Sequence, residues 1–140
     1  MKWSQPTNLP SRQFICGYCG NKVASDKGYL TSDTQYGKHG FIYLCPHCTA
    51  PSFIHDGEEI QLPGVAPGND VEHLPEEIAK LYKEARRCVS VNSHTAAVLA
   101  CRKLLMNIAV SQGAEEGKPF IHYVNHLSEA GYVPPNGRGW

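Results

Sequence analysis

Phe14-Ile15-Cys16-Gly17-Tyr18-Cys19-Gly20 and Phe41-Ile42-Tyr43-Leu44-Cys45-Pro46-His47-Cys48 are the two stretches whose reading decides how the front of this chain folds. Each is a short apolar run leading into a C-x-x-C pair. A C-x-x-C pair sets two thiolates on one tight turn, and two such turns offer four soft ligands in the tetrahedral array of a closed structural Zn²⁺ site. Strand, knuckle, strand is the layout of a zinc ribbon. Cys16, Cys19, Cys45 and Cys48 are therefore the expected metal ligands, and structural zinc the expected cofactor. Gly20, directly after the second ligand, suits a position that needs positive φ. His39 and His47 stand near enough in sequence to replace a cysteine but read as surface or knuckle residues. A catalytic zinc keeps a coordination position open, whereas four thiolates close the shell.

Around this core of signal the chain divides by composition. From Phe14 to Leu62 short apolar runs are broken by Gly, Asp, Asn and Pro, and Asp56-Gly57 between Ser52–His55 and Glu58–Leu62 predicts a further hairpin. The run Pro63-Gly64-Val65-Ala66-Pro67-Gly68-Asn69-Asp70 has the two prolines and two glycines of a linker. The expected organisation is a zinc ribbon over residues 1–63, a linker over 64–73 and helices over 74–140. A lobe of about fifty residues buries too little apolar surface to be stable alone. Zinc binding, worth roughly 10–16 kcal/mol in small zinc modules, makes up the difference.

The second half has helical periodicity. Pro75 suits the first position of a helix, and Glu76 and Glu77 suit its positive N-terminal end. Ile78, Leu81, Tyr82, Ala85, Cys88 and Val89 then mark one apolar face. Asn92-Ser93 predicts a cap for a second helix that runs to about Gln112 and stops at Gly113. Its face of Val98, Cys101, Leu104, Leu105, Ile108 and Ala109 predicts the centre of the core. Pro119 predicts the start of a third helix, carrying Phe120, Tyr123, Val124 and Leu127 and closed by Gly131. Cys88 and Cys101 read as small core residues. His122 and His126 are spaced i, i+4, but Tyr123 stands where a zinc-protease helix has Glu, and the pair reads as a solvated face.

Composition excludes some partners and selects others. With 13 basic and 13 acidic residues the formal charge is zero, so no global field recruits nucleic acid or anionic lipid. Between Ser11 and Ala50, Arg12, Lys22, Lys27 and Lys38 stand against Asp26 and Asp33. A zinc tetrathiolate, at about −2, cancels that excess. Tyr18, Tyr29, Tyr36, Phe41 and Tyr43 read as the ribbon's thin core in preference to a base-stacking surface. Met1–Phe14 lacks the apolar core of about 7–15 residues that a secretory signal needs. No run approaches the roughly 20 apolar residues of a membrane span. The cytoplasm is the expected compartment, where thiols stay reduced and paired cysteines bind metal. There is no phosphate-binding glycine loop and no G-x-S-x-G elbow.

Leu74-Pro75-Glu76-Glu77-Ile78, Tyr82-Lys83-Glu84-Ala85, Ala96-Ala97-Val98 and Cys101-Arg102-Lys103-Leu104-Leu105, continued by Tyr123-Val124-Asn125-His126-Leu127 and Gly131-Tyr132-Val133-Pro134, resemble the bacterial family named domain of unknown function 4145. The resemblance covers residues 74 to 140, and members of that family often carry a zinc ribbon in front. It implies a HEPN-superfamily antiparallel helical bundle, commonly dimeric and found in defence systems. Active HEPN members are metal-independent ribonucleases that use an arginine and a histidine four to six residues apart on a late helix. In relatives that segment follows the Gly-Tyr-Val-Pro-Pro stretch, and this chain stops at Trp140 before it, which predicts an incomplete bundle and a truncated form of a longer protein. Arg102 matches the family's second-helix arginine, while Met106 replaces the acidic residue that follows it. Arg87 and His94 have the superfamily spacing but straddle the break between two helices.

The expected fold class is thus α+β, a small β zinc ribbon followed by an incomplete HEPN-like antiparallel bundle. The expected function is that of a zinc-binding, non-catalytic interaction or regulatory module, its partner a second copy or another protein. The alternatives are a HEPN-type ribonuclease lacking its Arg-to-His helix, and a ribbon that binds RNA or DNA.

Overall fold

A computed structural model describes residues 2–33, 38–55 and 60–133, with the backbone alone at positions 32, 33, 38 and 39. The fold is α+β. Strands β1 (Thr7–Ile15), β2 (Lys22–Asp33), β3 (Lys38–Leu44), β4 (Pro51–His55) and β5 (Gln61–Leu62) form one antiparallel sheet in sequential order, followed by helices α1 (Glu76–Ser90), α2 (His94–Ser111) and α3 (Phe120–Glu129). The chain divides into two compact units: residues 1–67 with Val89–Asn92, and residues 68–88 with 93–140.

In the first unit the pleat sorts the side chains. Phe41 and Tyr43 alternate along β3, and Cys45 directly after it, toward a core that also takes Leu9, Phe14, Cys16 and Ile54. Phe41 and Tyr43 stack with ring centroids 5.7 Å apart, and Phe14 tilts against Tyr43 at 6.0 Å. These aromatics form the thin core that their sequence positions predict. Tyr29 instead donates from its hydroxyl to the Ser4 carbonyl at 2.7 Å and lies beside Trp3. Tyr18 is exposed on the first knuckle, and Tyr36 lies outside the described residues, as does the Asp56-Gly57 turn.

β1 begins at Thr7, well before the apolar pair Phe14-Ile15 that announces it in the sequence. Pro10 has no N–H to give to a ladder, and the strand takes it at the edge of the sheet, where the β1–β2 register shifts between Asn8 and Arg12. The freed Pro10 carbonyl accepts the hydroxyl of the buried Tyr43 at 2.9 Å. Gly28 lies under the next strand so closely that a β-carbon there would sit 1.9 Å from the Ile42 carbonyl oxygen.

All three helices end the same way. Asn92 (φ 61), Gly113 (φ 92) and Gly131 (φ 81) take the left-handed conformation, and paired backbone bonds close each end: Ser93 N–H to the Cys88 carbonyl, Ala114 to Ala109, Tyr132 to Leu127. This is the Schellman motif, and it satisfies carbonyls that a helix end leaves bare. The glycine stops are where the sequence predicts them. Asn92 has a different job from the expected one, since it terminates α1, and Ser93 at the N-cap of α2 makes no side-chain cap bond.

α2 does not bury the face its spacing suggests. Ala97, Ala100 and Ala109 are its buried residues, whereas Val98, Leu99 and Leu105 are exposed and Cys101 is exposed with them. Apolar residues lie on almost every side of this helix, so periodicity selects no single face, and the alanines win because they allow the closest approach of a neighbour. At Ala109 that neighbour is α3. Between them Ala109, Ala114, Tyr123 and Leu127 make the second core, with Met106, Ile108, Val110 and Val133 packed against it. On α1 the predicted face is at least half-buried throughout. Tyr82 donates to the Asn69 carbonyl at 2.8 Å and Arg86 to the Gly68 carbonyl at 2.9 Å, with Arg86 also paired to Asp70. Among the described residues, no helix is long and apolar enough to cross a membrane.

The steric limit at Gly28 is directly testable. Gly28→Ala is expected to separate β2 from β3 at a cost of about 2–3 kcal/mol, read as a fall of roughly 10 °C or more in the thermal midpoint; an unchanged midpoint would refute the close strand approach.

Candidate metal centre

Two knuckles of the same construction face each other at one end of the sheet. In the first, Gly20 N–H donates to the Cys16 carbonyl at 2.8 Å and Cys16 N–H to the Asn21 carbonyl at 2.9 Å. In the second, Thr49 N–H donates to the Cys45 carbonyl at 2.9 Å and Cys45 N–H to the Ala50 carbonyl at 2.9 Å. Both turns need a left-handed residue after the second cysteine, supplied by Gly20 at φ 71 and Thr49 at φ 60. Glycine takes that conformation freely, but a β-carbon there costs roughly 1–2 kcal/mol. Local bonds hold Thr49 in place. Its hydroxyl donates to the Cys48 carbonyl at 2.6 Å, and its own carbonyl accepts the Trp3 indole N–H at 2.7 Å.

This arrangement brings Cys16, Cys19, Cys45 and Cys48 together, with all four sulfurs within 4.8 Å of one another. Cys16 and Cys48 are 3.6 Å apart and Cys19 and Cys45 3.8 Å. Four sulfurs at about 2.3 Å from a central ion would be separated by about 3.8 Å in a regular tetrahedron. A disulfide would need about 2.05 Å, and all six cysteines of the chain are free. The group could hold a metal ion. Each knuckle gives one sulfur to the core and one to the surface side, Cys16 and Cys45 being buried and Cys19 and Cys48 half-buried.

The electrostatics favour a cation. Burial pushes the Cys16 thiol up, against the pull of the Cys19 and Tyr18 backbone N–H groups. Burial, aided by the Cys16, Cys19 and Cys45 sulfurs and opposed by the Ala50 backbone N–H, pushes Cys48 up to about 12. At Cys19 burial acts in the same direction, but the backbone N–H and side-chain amide of Asn21 outweigh it together with the neighbouring sulfurs, and the thiol falls to about 6. Cys19 is therefore the thiol disposed to ionise, whereas Cys16 and Cys48 are pushed the other way. A divalent cation among them removes that conflict by favouring thiolate at every position.

Asn21 is the residue of this site that sequence reasoning misses. Its side-chain nitrogen lies 3.4 Å from Cys19 Sγ and 3.2 Å from His47 Nδ1, so one amide group supports a ligand and orients a neighbouring imidazole. The signal was faint: an Asn one place after C-x-x-C-G is ordinary turn chemistry. His47 is exposed and stands outside the four-sulfur group, and the side chain of His39 lies outside the described residues. Gly17 has a packing role, since a β-carbon on it would lie 2.4 Å from the Pro63 carbonyl oxygen and 2.5 Å from that of Gly64.

The other residues singled out by sequence go elsewhere. Cys88 is half-buried on α1, and Cys101 is on the surface of α2. The Arg102 guanidinium lies 4.3 Å from the centre of the Phe120 ring, a cation–π contact between α2 and α3. Arg87 falls in the last turn of α1 and His94 opens α2, with the left-handed Asn92 between them, so they share no helical face. His122 and His126 are half-buried and not a solvated pair. His126 Nε2 meets the Gln112 carbonyl at 3.1 Å, and His122 packs edge-on to Tyr123.

No protein-family model, no curated protein and no solved structure matches this chain. The site is accordingly read from its own geometry. Asn21→Ala, which leaves all four cysteines in place, is expected to weaken metal affinity about 10–100-fold in a competition titration against a chromophoric chelator, and an unaltered affinity would remove Asn21 from the site.

Proposed function

We propose that the first unit is a zinc ribbon with a structural Zn²⁺ bound by Cys16, Cys19, Cys45 and Cys48, and that the chain works as a non-catalytic interaction module. The observation that carries the reading is the four-sulfur group itself, gathered within 4.8 Å with two pairs at 3.6 and 3.8 Å and shared between two knuckles whose leading cysteines are part of the sheet's core. Among first-row metals, a closed all-thiolate site of this kind suits zinc. Four protein ligands leave no position for a substrate or an activated water, so the ion's work is to hold the two knuckles together. The half of the chain beyond residue 73 is read as a HEPN-like bundle that serves docking, in line with its resemblance to the domain of unknown function 4145 family. In that reading Arg102 supports the α2–α3 contact through Phe120, and the cytoplasm, where thiols stay reduced, is the compartment.

Purified protein is expected to hold one zinc per chain by elemental analysis. Cys45→Ser is expected to lose it, together with the amide dispersion of residues 1–67 in an NMR spectrum, while helical circular dichroism persists. Full zinc content in that variant would overturn the ligand assignment. Labelled single-stranded RNA should be neither cleaved nor bound; an affinity that falls steeply with added salt would instead favour the nucleic-acid-binding reading.

A further inference from the structure

α1 and α2 are joined by a short turn, yet they leave an open groove between them. Its larger part is a cavity of about 680 Å³ with Ile78, Met106, Val110 and the buried Tyr123 at its base. A second cavity of about 420 Å³ continues it, with Leu81 at its base, and Glu77 and Asn107 line both. Along α1 the groove runs from Pro75 to Glu84, nine residue steps or about 14 Å of helix. The apolar lining is concentrated in the larger cavity, while the second sets Leu81 among Glu77, Lys80, Glu84, Lys103 and Asn107; a groove some two and a half turns long with apolar residues between charged ones suits an amphipathic helix.

The rim has a sign. Glu76, Glu77 and Glu116 border the larger cavity with no lysine or arginine among its lining residues. Glu76 is held by Lys80 at 2.6 Å. Neither Glu77 nor Glu116 has a salt-bridge partner among the described residues. Glu77 is accounted for in part by the positive end of α1. Glu116 lies outside any helix, so no dipole explains it. Counted once each along the whole groove, Glu76, Glu77, Glu84 and Glu116 stand against Lys80 and Lys103, and both lysines lie at the end away from Glu116, so the negative excess falls over the larger cavity.

We infer that this groove is a docking site for a lysine- or arginine-rich amphipathic helix of a partner protein. The partner's apolar face would lie along Leu81, Ile78, Met106 and Val110, and its cationic heads would reach Glu77 and Glu116. The inference rests on the interaction-module reading above and gives that module a ligand class.

The test is fluorescence anisotropy on the full, zinc-loaded chain, with a fluorescein-labelled twelve-residue helix of leucine and lysine as probe. A second probe has glutamate in place of every lysine. Saturable binding of the lysine peptide and none of the glutamate peptide are expected. Glu116→Gln should weaken binding about three- to fivefold, and Glu77→Gln with Glu116→Gln about tenfold. Glu129→Gln, an equal charge change at the end of α3 and away from the groove, should leave it unaltered. Absence of binding, equal binding of both peptides, or equal loss in Glu116→Gln and Glu129→Gln would overturn the proposal. Zinc content and the thermal midpoint are measured on the same samples, so a peptide that fails on folded protein with one zinc per chain rejects the groove and leaves the metal reading standing.

Discussion

Four cysteine sulfurs confined within 4.8 Å, which would repel one another as thiolates, are the constraint on which the first unit depends. Such a group is tolerable only as mostly neutral thiols or around a cation. Two of its members, Cys16 and Cys45, are also core residues of the sheet, so the state of the sulfurs and the packing of the strands are one problem. A metal solves both. An ion there would fix the two knuckles, which join β1 to β2 and β3 to β4, at one end of the sheet. Asn21 and Thr49 belong to the same solution, one by orienting charge toward Cys19 and the other by accepting a left-handed backbone that the second knuckle requires.

The second unit solves its problem with backbone geometry. Three helices end on three left-handed residues, and α2 and α3 close around Ala109, whose short side chain lets the helices approach. That economy leaves larger apolar residues on the outside of α2 and an acid-rimmed trough between α1 and α2. The first unit, by contrast, turns Cys16 and Cys45 inward to its core.

Features with a local cause were legible in the sequence. A doubled C-x-x-C specifies a knuckle whatever surrounds it, and Gly20, Gly113 and Gly131 mark left-handed positions because the need for positive φ is local. Features with a distant cause were not. The early start of β1 is hidden by Pro10, which is accommodated by an edge position and a register shift that only the neighbouring strand reveals. Thr49 in a left-handed turn is unreadable without its Trp3 partner 46 residues away. α2 is the clearest case. With apolar residues all round, its buried side is chosen by α3 and not by its own pattern. Asn92 shows the converse error, a residue read as starting the next helix that in fact ends the previous one.

X-ray absorption at the zinc edge of the zinc-loaded protein tests the central claim most directly. One zinc with four sulfur neighbours at about 2.3 Å and no nitrogen or oxygen in its first shell is the predicted result. A shell that includes an imidazole nitrogen or an oxygen, or a protein that folds its sheet without taking up the ion, would contradict the account.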